Sequence, residues 1–156
     1  MREKTCCFIG HRKIDDSRDL RKTITDTVEA LINDKGVDTF LFGSKSEFNS
    51  LCRELVTLLK EKYPHIRRIY VRAEYPFINE SYKRYLLESY DDTYYPKRIQ
   101  NSGRACYIER NHELIDHSLY LVTYFDNKTT TGGTANAYAY ALQKGLTIKN
   151  VFGTKK

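Results

Sequence analysis

The sequence predicts an α/β protein: a mostly parallel sheet of about five strands, helices on both faces, and a tyrosine-rich insertion. Three observations carry that prediction. Short apolar runs alternate with segments of helical periodicity, in the order β-α-β-α-β, insertion, α-β-α-β. The runs and helices stop at glycine, proline or polar clusters, as elements in such a chain must. No composition break, internal repeat or low-complexity segment divides the 156 residues, a length that suits one domain spanning 1–156.

Thr5 to Ile9 is an apolar run that reads as a buried strand, stopped by Gly10-His11-Arg12-Lys13. Ser17 can cap a helix along which Leu20, Ile24, Val28, Leu31 and Ile32 share one face, with Gly36 at its end. Thr39 to Phe42 is a second buried strand, ending at Gly43-Ser44. Phe48, Leu51, Leu55, Leu58 and Leu59 mark a second amphipathic helix, terminated by Tyr63-Pro64. Ile66 to Val71 is a third strand, partly polar and placed nearer an edge. Residues 74–107 break the rhythm. They hold Tyr75, Tyr82, Tyr85, Tyr90, Tyr94, Tyr95 and Tyr107 with Pro76 and Pro96, and allow one short helix from Asn79 to Glu88. The rest reads as an irregular arm, either a lid or binding loop, or a segment whose tyrosines pack on the core or a second subunit. Regularity returns with a helix from Ile108 to Asp116, a strand from Leu119 to Phe125 and a polar loop from Asp126 to Thr131. A helix from Gly133 to Lys144, closed by Gly145, and a strand from Leu146 to Phe152 complete the chain.

Charge and composition narrow the function classes. Lys and Arg number 26 against 20 Asp and Glu, a net +6 that suits an anionic partner. Cys6, Cys7, Cys52 and Cys106 form no CxxC or zinc spacing, so they read as reduced thiols in a cytoplasmic protein. No apolar stretch reaches the ~18 residues of a membrane span. The apolar run Cys6 to Ile9 is too short for a secretory signal. No metal-ligand cluster and no Ser/His/Asp arrangement is visible. Neither GxGxxG nor GxxxxGK[ST] occurs.

In sheets of this kind the ligand lies beyond the carboxyl ends of the strands. Three loops leave strands there: Gly10-His11-Arg12, Gly43 to Ser46, and Thr129 to Thr134. The third opens a helix, where free N–H groups and the helix dipole favour an anion. Gly132 and Gly133 let a phosphate approach, and Thr131 and Thr134 add hydroxyls. The alternative is a turn that only starts a helix. Arg12 suits a phosphate or carboxylate. His11 could donate to a ligand or tie a loop. Glu47 and Asn49 could face a ligand or cap their helix. Arg110 could pair with Asp116, or Arg110 and Asn111 could face the cleft.

These motifs resemble a known family. Phe8-Ile9-Gly10-His11-Arg12 resembles the FxGHR start of the YpsA-like branch of the SLOG superfamily, which also holds DprA/Smf and the LOG phosphoribohydrolases. Phe42-Gly43-Ser44 through Glu47-Phe48-Asn49 resembles its GGxGxFD loop. Tyr90-Asp91-Asp92-Thr93-Tyr94-Tyr95-Pro96 resembles a YDxTYYP segment found in part of that branch. Arg110-Asn111 through Ile115-Asp116 resembles RNxxMID, and Gly132-Gly133-Thr134 resembles the GG[TA] turn. The matches run over about residues 6 to 152. The resemblance implies a Rossmann-like fold and a nucleotide or nucleotide-derived ligand. Family members act as sensors, as DNA-binding proteins or as N-glycosidic phosphoribohydrolases.

Two departures bear on chemistry. The LOG pattern PGGxGT is followed by a glutamate, whereas Thr131-Gly132-Gly133-Thr134-Ala135-Asn136-Ala137 lacks the proline and has no such carboxylate. Turnover would need another acid, with Glu47 and Asp116 the candidates. Asn49 stands where the branch carries Asp. Both departures favour binding over catalysis. The leading expectation is sensing or sequestration of an ADP-ribose-like or cyclic nucleotide signal at Gly10, His11, Arg12, Gly43, Ser44, Glu47, Asn49, Arg110, Asn111 and Thr131 to Thr134. No cofactor is required. The alternatives are a nucleotide N-glycosidase and a single-stranded DNA binder, with nucleic acid the less favoured partner. A homo-oligomer is expected.

Overall fold

The computed structural model describes residues 2–129 and 131–153. A single 3-10 turn, Arg2–Lys4, leads into β1 (Thr5–Gly10), α1 (Arg18–Lys35), β2 (Thr39–Phe42) and α2 (Glu47–Lys62). Then follow β3 (Arg67–Val71), α3 (Glu80–Leu87), β4 (Asp92–Tyr94) and α4 (Arg104–Asp116). The chain closes with β5 (Tyr120–Tyr124), α5 (Gly133–Gln143) and β6 (Thr147–Asn150). The strands form one sheet in the order β4-β3-β2-β1-β5-β6, and every neighbouring pair is parallel. This is the Rossmann-like α/β architecture expected.

The alternation of side chains along each strand sorts the core into two layers. Cys6, Phe8, Phe40, Phe42 and Val122 face α1 and α2, whose Leu20, Ile24, Val28, Leu51 and Leu55 stripe covers them. Phe8 and Phe42 stack at 4.9 Å between ring centroids. Cys7, Ile9, Leu41, Val71 and Leu121 face the other way, against Leu114 and Ile115 of α4 and Ala137 and Ala141 of α5. Ser17 caps α1 as expected, accepting from the Leu20 N–H at 3.0 Å, and Gly36 closes it at φ 69°; α2 is capped not by Glu47 or Asn49 but by Ser46, which accepts from the Asn49 N–H at 3.0 Å.

Three details differ from expectation. The sheet has six strands rather than five, because Asp92–Tyr94 pairs with β3 through Ile69↔Asp92 and Val71↔Tyr94. That moves β3 one place in from the edge. The arm is therefore partly regular, and its tyrosines divide. Tyr90 packs against Phe42 and Tyr70, and Tyr95 against the small cluster of Ala73, Ile99 and Cys106. Tyr75 and Tyr85 are exposed, and Tyr82, partly buried against the core, meets them at 6.0 and 6.1 Å. Finally, α4 starts at Arg104, not Ile108. Its N-cap Gly103 sits at φ 70° and offers no side-chain cap that a sequence could announce.

All four cysteines are free and buried. Burial raises the thiol pKa of Cys6 well above its ordinary value and that of Cys7 to about 12. None is a poised nucleophile. No helix among the described residues is long and apolar enough to cross a membrane.

Candidate anion-binding cleft

The chain runs outward from β1 to β4 and then returns to place β5 on the other side of β1. At this reversal the loops leaving the strands splay apart and open a crevice. A cavity of about 1020 Å³ occupies it. Gly10, Gly43 and Ser44 form one wall, and Thr131 to Thr134 form the opposite one. Thr130, part of the sequence-defined loop, lies outside the described residues.

Arg110 is the floor. It projects from α4 and is only 4% exposed. It donates from Nη1 to the Gly43 carbonyl and from Nε to Asn111 Oδ1 at 3.0 Å, and its guanidinium lies 5.9 Å from the Tyr107 ring centroid. Among the described residues no carboxylate pairs with it, although Glu74 acts on it at longer range. Burial lowers its pKa, but a guanidinium stays charged in a protein. A buried cation without an anion carries an unrepaid desolvation cost. Gly43 makes room for this side chain, since a Cβ there would meet Arg110 Cδ at 2.6 Å.

The α5 N-terminus adds a second attraction for negative charge. Gly132 occupies the N-cap at φ 104° with no side-chain cap, so the first-turn N–H groups are not covered by a capping hydroxyl. A Cβ on Gly133 would meet nothing within 4 Å. Gly10 differs: a Cβ there would sit 2.3 Å from Phe48 Cδ2, so core packing dictates that glycine. Among the described residues, four cationic side chains line the cavity, Arg12, Lys45, Arg104 and Arg110, against the single carboxylate of Glu74.

The structure does not bring all the sequence candidates together. His11 does not line the cavity. Its Nε2 accepts the Asp126 N–H at 2.9 Å and ties the β1 and β5 loops together. Glu47 also lies away from it, accepting from the Ile14 N–H at 2.9 Å while its own N–H donates to the Arg12 carbonyl at 2.8 Å. Asn49 is 3% exposed and its Oδ1 accepts from the Gly43 N–H at 3.3 Å, which holds the loop rather than a ligand. Asp116 is engaged elsewhere, by Arg98 at 2.8 Å and the Tyr140 hydroxyl at 2.9 Å. Burial pushes its pKa up, but the Arg98 and Tyr140 hydrogen bonds outweigh this and leave it lowered, the wrong direction for a general acid. The Arg110–Asp116 pair does not form. Residues six apart on a helix are not neighbours. Lining residues outside the expected site include Glu74, Arg104, Tyr107 and Asn136, Tyr107 having been read only as one of the arm's tyrosines. Glu74 follows β3 and was accessible to the same strand-end rule. Arg104 and Tyr107 sit on the turn of α4 that sequence placed outside the helix.

No protein-family model and no curated protein matches the sequence. The fold has solved counterparts. DNA processing protein A from Helicobacter pylori, a protein with a single-stranded DNA binding mode, superposes with a TM-score of 0.61 at 13% identity. The match covers 94% of this chain and 64% of that one, so this chain spans less than two thirds of its neighbour. At that identity the likeness establishes the fold.

Proposed function

We propose that the protein binds the phosphate of a nucleotide in the crevice between β1, β2 and β5. One observation carries the reading: the Arg110 guanidinium is buried in the cavity lining with no carboxylate partner among the described residues, and an uncapped helix N-terminus lines the same cavity. A phosphate there would accept charge-assisted hydrogen bonds from Arg110 and backbone N–H groups from α5. Kinship with the YpsA-like branch of the SLOG superfamily belongs to the same proposal and supports a nucleotide-derived ligand. Binding is proposed rather than turnover, because Glu47 and Asp116 are both engaged away from the cavity, and Glu74, which does line it, accepts from the Tyr107 hydroxyl and lies near Lys45.

A second reading is that the nucleotide belongs to a single DNA strand. The fold shared with DNA processing protein A favours it, as do the exposed Tyr75 and Tyr85 beside Lys83 and Arg84. Calorimetric titration separates the two. The first reading expects nucleoside monophosphates to bind and the corresponding nucleosides, lacking phosphate, to fail. The second expects oligodeoxythymidylate to bind far more tightly than the monophosphates, with an affinity that falls steeply with salt. Equal binding of nucleoside and nucleotide refutes the phosphate site.

A further inference from the structure

Resting on the nucleotide reading above, we infer that Glu74 makes the cleft selective for ribonucleotides, by accepting hydrogen bonds from the ribose hydroxyls. Glu74 is the one carboxylate among the described residues that line the cavity. Its side chain is 38% exposed, so it faces the opening rather than the core. A carboxylate is an acceptor without donors, so it calls for hydroxyl or amine donors on the ligand and repels a second phosphate.

Its position is fixed from behind. Arg72 is 9% exposed and holds the backbone just after it, donating to the Tyr75 carbonyl at 2.9 Å and the Pro76 carbonyl at 3.4 Å. The Tyr107 hydroxyl donates to Glu74 Oε2. Lys45 approaches Oε1 only to 4.0 Å, which leaves that oxygen able to take ligand hydrogen bonds. Tyr107 also sets the spacing. Its ring carries the Arg110 guanidinium and its hydroxyl holds Glu74, so one phenol separates the cation from the carboxylate. A ribose places its 5′-phosphate and its diol at opposite ends of a unit of similar length. Phosphate on Arg110 therefore directs the 2′ and 3′ hydroxyls towards Glu74.

The test titrates the full chain with the four ribonucleoside 5′-monophosphates and their 2′-deoxy counterparts. Hydrogen bonds to a charged acceptor predict a ribo preference of roughly ten- to a hundredfold. Glu74→Ala should bring the ratio close to one, with the ribo series losing far more affinity than the deoxy series, which has only its 3′ hydroxyl to lose a bond from. Glu74→Gln, which keeps the shape and one acceptor oxygen, should give an intermediate ratio. A wild-type protein without ribo preference overturns the inference. So does a Glu74→Ala variant that weakens both series equally, the signature of a merely structural role. If no monophosphate of either series binds the wild type, the nucleotide reading itself fails and takes this inference with it.

Discussion

Replacing Arg110 by Met separates a ligand-binding residue from a structural one. The change removes two hydrogen bonds from a charged donor, to the Gly43 carbonyl and Asn111 Oδ1. Each contributes about 1.5–3 kcal/mol. It also removes a charge that is 4% exposed and has no carboxylate partner among the described residues, whose desolvation costs several kcal/mol. The two effects oppose each other and are of similar size. Apo stability should therefore move by no more than ~2 kcal/mol, or about 4–8 °C in Tm for a chain of this length. Ligand-induced stabilisation should behave otherwise. A nucleoside monophosphate at a hundred times its Kd should stabilise the wild type by about 2.7 kcal/mol. If losing the guanidinium weakens binding about a hundredfold, the same concentration gives the variant only ~0.4 kcal/mol, a shift on the order of 1 °C. Thermal denaturation with and without nucleotide reads both quantities. A variant that keeps the full ligand shift refutes the assignment of Arg110 to phosphate. A variant whose apo Tm falls by more than about 15 °C refutes the claim that burial cost and hydrogen bonding nearly cancel.

Other perturbations separate packing from binding. Gly10→Ala puts a Cβ 2.3 Å from the fully buried Phe48 ring, and chemical denaturation should show a loss of at least about 1–3 kcal/mol. Gly133→Ala meets nothing within 4 Å, so stability should hold or rise by roughly 0.4–1 kcal/mol while nucleotide affinity falls, by calorimetry on the same sample. Acid should destabilise the protein through Asp91 and Asp116. Burial pushes both pKa values up, but hydrogen bonds from Arg68 to Asp91 and from Arg98 and Tyr140 to Asp116 leave both lowered in the folded state. Their contribution is complete above the ordinary carboxylate pKa of about 4 and is lost as pH falls through the lowered values. Denaturant midpoints from pH 7 to 2 should drop along that limb, and Asp116→Asn should flatten it.

The elements that sequence revealed are those with local signals. Ser17 and Gly36 bound α1, and Tyr63 ends α2, because caps and breakers act within a few residues. The strand β4 has no such signal. Asp92–Tyr94 is short, mixed in polarity and set among tyrosines and prolines, and it becomes a strand only because β3 offers it a free edge. Non-local pairing of that kind leaves no periodicity to read. The site divides on the same principle. The loops were legible because parallel topology sends strand ends to one side, which located Gly43 and Gly132 to Thr134. Side-chain direction was not legible. His11, Glu47 and Asn49 have the right chemistry and adjacent positions, yet each is spent on fastening the loops that shape the cavity. The choice of Arg110 over Asp116 could not be made before α4 had a rotation about its axis.

The buried cysteines give this molecule its own stopwatch for unfolding. Cys6 and Cys7 point to opposite faces of β1, Cys52 sits in α2, and Cys106 lies in the first turn of α4. A thiol-directed reagent in solution can reach each only when its surroundings part, so each labelling rate counts openings of one neighbourhood. Cys106 beside the cleft and Cys7 at the centre of the sheet then act as an outer and an inner clock on one chain. A nucleotide that clamps the cleft slows the outer clock first.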